Sequence, residues 1–256
     1  MDSEYKETPR PQKSYIFRLW STYRRPIYLV VLIIGLVVFL NTLPGTVRER
    51  LFMALQAQQA LLRLLFFFAL IVLSLVWSAG QRLDTAIFLL LNLRGRHPKW
   101  LDRAMWYATQ FGNIVTAVLL TVLFFGLNYR RLAAEIVLGT LTLWLLVETI
   151  KALSDRARPF LAIEGARVIG WRERGLSFPS GHTAQTFFLV TLINRQFQPD
   201  LGAGGGIALY ALAVLVGLTR MYVGAHYPRD VIGGAVLGTI WGVLITLVDP
   251  YWFGFV

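Results

Sequence analysis

The sequence contains no cysteine, which excludes disulfide scaffolds, thiolate nucleophiles and zinc–thiolate sites. Charge is also scarce: 15% of the 256 residues are Asp, Glu, Lys or Arg, against roughly 25% in soluble domains. With 56% of residues in the AVILMFWYC set, too few polar side chains exist to coat a water-facing globule, and lipid must solvate much of the surface. Strand-length alternation is missing too. Membrane barrels need many alternating segments of about ten residues, whereas the apolar runs here are continuous. The fold class is therefore all-α, a polytopic membrane helical bundle. Acidic residues are few, 14 against 25 basic ones, leaving a net charge of +11. In a soluble chain that excess would suggest nucleic acid. Here the bases sit in short loops between apolar runs, which fits phosphate-bearing lipids and membrane topology and argues against a nucleic-acid partner.

Residues 1–26 mix Pro, acidic and basic side chains without a sustained apolar period and read as a solvated or interfacial arm. Arg24 and Arg25 abut the apolar run 27–43, which offers no small-x-small cleavage pattern and reads as an uncleaved first span. Further apolar runs cover 61–79, 114–127, 132–150, 183–193, 207–222 and 231–248. Several fall short of the ~20 residues that cross a bilayer core, so flanking residues such as 106–112 are expected to extend them. The short apolar segment 83–92 reads as a helix lying in the interface. The expected organisation is the arm, N-terminal hydrophobic helices over 27–80, and a core over 81–256 with functional loops at 151–182 and 219–230. Gly234, Gly238 and Gly242 recur every fourth position and predict close packing of the last helix on a neighbour.

Three junctions carry charges that a membrane helix does not tolerate idly. Lys151, Arg156 and Arg158 precede Pro159 at the end of one apolar helix. Pro179-Ser180-Gly181-His182 turns into the start of another, where free backbone N–H groups make a ready anion site. Arg220 ends the sixth run, followed by His226 and Asp230; an ionisable residue there costs several kcal/mol unless it faces a polar cavity or a partner. Two of the three histidines in the chain occupy these turns. A helical hairpin between the junctions returns the chain to one membrane side, so the clusters can form one pocket.

Lys151, Arg158 and Arg220 supply donors suited to a phosphoryl group. One imidazole, oriented by Asp230, can attack phosphorus while the other protonates the departing oxygen. Two other readings use the same residues. His182, His226 and Asp230 could form a two-His, one-carboxylate metal site, although three neighbouring cations would repel a divalent ion. A membrane anion transporter explains the basic residues without chemistry, but does not need a Pro-Ser-Gly-His turn.

Lys151-x6-Arg158-Pro159, Pro179-Ser180-Gly181-His182 and Thr219-Arg220-x5-His226-x3-Asp230 together resemble the tripartite signature of the type 2 phosphatidic acid phosphatase superfamily. The segment Asp84-x-x-Ile-Phe-x-x-x-Asn92 is similar to a further pattern of that family. The resemblance implies a six-span phosphatase core with an extra N-terminal hydrophobic helix. It also implies hydrolysis of a lipid phosphate or pyrophosphate through a phosphohistidine, without metal or other cofactor. By the same resemblance His226 is the nucleophile, Asp230 orients it, and His182 is the acid and then the base. Lys151, Arg158, Arg220, the Ser180 hydroxyl and the Gly181 amide hold the phosphate. Thr219 stands where the family usually has Ser. A lipid phosphotransferase would use the same residues.

Topology draws two arguments in opposite directions. Seven spans with a cytoplasmic basic arm would place Lys151 on the inner face, alongside Arg82, Arg94, Arg96, Lys99 and Arg103. The resemblance instead implies a bacterial-type inner membrane with the site on its outer face. That requires an outside N-terminus or a first run that does not cross.

Overall fold

The computed structural model describes residues 45–252 apart from Arg96, together with scattered positions between 30 and 42. The arm 1–26 lies outside the described residues, and the described positions of the first run are helical. The described residues from 45 onward group as one compact unit. Among the described residues there is no strand, and the helices are α1 (Gly45–Ala57), α2 (Gln59–Ser74), α3 (Ser78–Asn92), α4 (Lys99–Thr109), α5 (Ile114–Gly126), α6 (Arg130–Ser154), the single turn α7 (Pro159–Ala162), α8 (Gly181–Tyr222) and α9 (Pro228–Trp252).

Among the described residues three helices are long and apolar enough to cross a membrane, or up to five if each bent pair counts as one. The sequence reading needs correction at both bent pairs. The run 61–79 is not one straight helix: α2 stops at Ser74 and α3 leaves at 95°. Residues 106–112 extend the next run only across a bend. They belong to α4 and a 3-10 turn, Gln110–Gly112, bent by 57° from α5. Leu61 and Ile71 of α2 join Phe178, Val236 and Ile240 in one core cluster.

The 42-residue α8 is interrupted at Gly202, where φ is 59° and ψ is −170°. Thr191 Oγ1 lies 3.1 Å from Tyr210 OH, 19 positions away; along a straight helix they would stand roughly 28 Å apart, at about 1.5 Å per residue. The Phe187 and Tyr210 rings also meet, 6.1 Å between centroids. Thus α8 is a hairpin of two antiparallel arms, and it carries His182 at one end and Arg220 at the other back to the same level. The glycine stripe of α9 seats that helix on the first arm. A Cβ at Gly234 would lie 2.5 Å from Ser180 O, one at Gly242 2.7 Å from Thr191 Cβ, and one at Gly238 would collide with Ala184 O. Between helices in lipid, close van der Waals approach has to supply what the hydrophobic effect does not. Ile136, Leu143 and Val147 of α6 complete the core against Ala184, Phe188 and Leu237.

Candidate active site

Each charged junction is placed by its own local device. In α6, Lys151 occupies the last turn, where a cation meets the negative end of the helix, and Asp155 ends the helix in the left-handed conformation. Ser154 Oγ then donates to Phe178 O at 3.1 Å, tying this helix end to the turn before α8. Ser180 caps α8: its Oγ accepts from the Thr183 N–H at 3.4 Å and lies 2.9 Å from Thr183 Oγ1. At the third junction, the Ala225 and His226 N–H groups donate to Arg220 O, at 3.0 and 3.2 Å. Pro228 then opens α9 in the first helical turn, where its missing N–H costs nothing.

These devices bring Lys151, Arg158, Gly181, His182 and His226 to the wall of one cavity of about 340 Å³. Its other wall is apolar, formed by Ile114 of α5 and Leu143, Trp144 and Val147 of α6. Arg220 reaches the same place from an adjoining cavity of about 160 Å³ that shares Asn113, Glu173 and His182. The Ser180 hydroxyl is committed to capping, and Ser180 does not line either cavity. The Thr219 hydroxyl donates back to Val216 O at 2.6 Å.

Glu173, which sequence reasoning missed, stands at the centre. Its Oε2 pairs with Arg158 Nη1 at 2.9 Å and lies 3.9 Å from His226 Nε2. Its Oε1 pairs with Arg220 Nη2 and lies 4.0 Å from His182 Nδ1. Burial alone would push this carboxyl up; Arg220, the two imidazoles and Arg158 outweigh it and hold the group well below the usual carboxylate range. A carboxylate therefore sits between two imidazoles in the grip of two guanidinium groups.

His226 is 1% exposed. Arg158 Nη1 lies 3.2 Å from its Nε2. A guanidinium can only donate, so Nε2 is the acceptor and the ring proton resides on Nδ1. Nδ1 faces Ser177 Oγ at 3.5 Å, and Ser177 Oγ in turn donates to Asp230 Oδ2 at 2.5 Å. Asp230 itself is 3.8 Å from Nδ1, so it meets the imidazole through Ser177 rather than by a direct hydrogen bond. Its carboxylate also accepts from the Tyr227 N–H at 2.8 Å and from Arg156 Nη1 at 2.5 Å. Burial first, then Arg158 and Arg220, push the His226 imidazole well below its ordinary value. Among the described residues no group of three or more His, Asp or Glu is disposed to hold a metal ion.

Comparison with known proteins now settles the lineage. The PAP2 superfamily model matches residues 132–253, a stretch that contains all three junctions. The undecaprenyl-diphosphatase BcrC of Bacillus subtilis is 31% identical over 62% of this chain and 80% of its own. The chain belongs to the PAP2 superfamily. Phosphatidylglycerophosphatase B of Bacillus subtilis is 28% identical, over 73% of this chain and 93% of that one. Among solved structures, the transmembrane PAP2 type phosphatidylglycerolphosphate phosphatase of Bacillus subtilis superposes with a TM-score of 0.64 at 29% identity, covering 77% of this chain and 98% of the other. With apolar helices of this length and a transmembrane neighbour of the same fold, this PAP2 chain is an integral membrane protein.

Proposed function

We propose that this chain is a lipid phosphatase that hydrolyses a phosphate or pyrophosphate monoester through a phosphohistidine on His226, without a metal. The observation that carries the reading is the Glu173 carboxylate, an anion held by Arg158 and Arg220 between His226 Nε2 and His182. A phosphoryl group placed there would have its oxygens on the same guanidinium forks, the Nε2 lone pair on one side and His182 on the other. Phosphoryl transfer asks mainly for positioning and charge stabilisation, and Lys151, Arg158 and Arg220 supply the positive charge. His226 attacks phosphorus through Nε2 as His182 protonates the departing oxygen, an alkoxide from a monophosphate or a lipid phosphate from a diphosphate. His182 then takes a proton from the water that cleaves the P–N bond. Gly181, at the start of α8, lines the cavity, and the free N–H groups of a helix start favour an anion there.

The apolar wall of Ile114, Leu143, Trp144 and Val147 suits a lipid chain, and the relatives are named for lipid substrates, phosphatidylglycerophosphate and undecaprenyl diphosphate. We assign six crossings to the core, taking each bent pair as one and the two arms of α8 separately, with the site on the outer face of a bacterial-type inner membrane. A phosphotransferase would run the same first step and pass the phosphoryl group to a second lipid instead of water.

The test is phosphate release from a panel of lipid monophosphates and diphosphates in detergent. Turnover should persist in EDTA, stop with vanadate and disappear in His226→Ala, and a labelled phosphate should be trapped on His226 as an acid-labile, alkali-stable adduct. Activity retained in His226→Ala removes the nucleophile assignment. Loss on chelation with recovery on added metal favours the metal reading. For the face, Glu164→Cys in this cysteine-free chain should react with a membrane-impermeant thiol reagent in intact cells; labelling only after permeabilisation puts the site inside.

A further inference from the structure

The buried face of α3 carries Asp84, Phe88 and Asn92, four residues apart and so stacked along one side of the helix. None of the three lines the cavities. Phe88 packs on the Tyr227 ring, 5.8 Å between centroids, next to His226 in sequence. Asn92 donates to Tyr222 O at 2.8 Å and accepts from the Arg167 N–H at 2.8 Å. Asp84 does something else. Its Oδ2 pairs with Arg156 and with Arg229 Nε, the latter at 2.7 Å, and its Oδ1 accepts the Arg229 N–H at 3.2 Å.

Arg156 is 9% exposed and is stretched between two carboxylates. One end pairs with Asp84 and Gln81 Oε1, the other donates to Asp230 Oδ1 at 2.5 Å, and the guanidinium lies 4.4 Å over the Tyr227 ring. A continuous polar chain thus runs from Asp84 through Arg156, Asp230 and Ser177 to His226 Nδ1. Two buried carboxylates balance the two guanidiniums of Arg156 and Arg229. We infer that Asp84 is a positioning residue for the His226 nucleophile, acting through Arg156 on Asp230; the inference rests on the phosphatase reading. Because Asp84 holds one arm of Arg156, Asp230 engages Arg156 through Oδ1 and keeps Oδ2 for Ser177 and the Tyr227 N–H. With a neutral residue at 84, Asp230 would carry the whole pairing of Arg156. A buried guanidinium left short of a carboxylate is costly, so the arginine would draw Asp230 away from Ser177. His226 would lose its orientation while the phosphate-holding cations, none of them in this chain of contacts, stayed in place.

The full chain in detergent, assayed on a lipid monophosphate that the wild type turns over, tests this. Asp84→Asn should lower kcat at least ten-fold with KM and vanadate affinity within about two-fold of wild type, and Asp84→Glu should restore most of the rate. In a double-mutant cycle, Asp84→Asn should add nothing to Arg156→Gln, because the effect passes through that arginine. Should Asp84→Asn not be recovered folded, as judged by thermal unfolding and vanadate binding, Arg156→Gln decides. It must show the same loss of kcat at constant KM. An unchanged kcat, parallel changes in kcat and KM, or additive losses in the cycle overturn the inference. Absence of turnover in the wild type on every lipid phosphate sinks the phosphatase reading first, and this one with it.

Discussion

Replacing Ser177 with alanine isolates the link between the carboxylate and the imidazole. Ser177 is fully buried and lines neither cavity, so its removal leaves the phosphate donors untouched. Its hydroxyl donates to Asp230 Oδ2 at 2.5 Å and faces His226 Nδ1 at 3.5 Å. A hydrogen bond to a charged group is worth about 1.5–3 kcal/mol, and about 1.36 kcal/mol is tenfold in rate, so kcat should fall about 10- to 150-fold. The lower end is favoured by geometry, since the Nδ1 contact is long and Asp230, 3.8 Å away, can close on the vacated space. KM should stay within about two-fold. Steady-state phosphate release in detergent measures both parameters, with Asp230→Asn as the more damaging reference. A loss below three-fold, or a rise in KM at constant kcat, would refute the bridging role.

Glu173→Gln keeps the shape of the side chain and removes the charge that occupies the anion position. Vanadate should then bind about 5- to 30-fold more tightly, corresponding to about 1–2 kcal/mol, discounted from the charged hydrogen-bond range because the carboxylate is 28% exposed. Equal or weaker inhibition contradicts competition between Glu173 and the phosphoryl group. Because His226 is held below its ordinary value of 6.5, it stays unprotonated as pH falls to that point and gains its proton only further down. The acid limb of kcat/KM, which reports the free enzyme, should lie below pH 6.5, and half-loss on the acid side above that value contradicts the assignment. Gly238→Val forces a side chain against the Ala184 backbone; overpacking of this kind costs about 1–3 kcal/mol. Thermal unfolding in detergent should move down by several degrees, and an unchanged transition would mean that α8 and α9 are not packed through the stripe.

Much of the site was legible because phosphoryl chemistry demands unusual residues in an apolar chain. Lys151, Arg158, Gly181, His182, Arg220 and His226 stand out against long hydrophobic runs, and the structure places them on the walls of two adjoining cavities. Glu173 was missed because it lies between Arg172 and Arg174 in a polar loop, where a lone acid reads as a solvated charge. Ser177 and Arg156 sit beside the conspicuous motifs but carry no period of their own. Their roles depend on partners in helices 72 to 74 residues away for Arg156 and 53 for Ser177. The spans were harder to read than the site. Hydropathy averages over bends, so it joined α2 to the start of α3 and attached residues 106–112 to α5.

What the sequence by itself determined is the solvent and the chemistry. Scarce charge and continuous apolar runs commit the chain to helices in lipid, because an unpaired backbone cannot be tolerated there, and cations at helix ends are too costly to be idle. Only the tertiary structure decided which nitrogen of His226 carries its proton, that Ser177 intervenes before Asp230, and that the Glu173 carboxylate sits between Arg158 and Arg220. Those outcomes depend on separations of a few tenths of an ångström between side chains on different helices. They follow from how the Gly202 hairpin and the glycine stripe let α8 and α9 close on each other, and local residue pattern does not encode such distances.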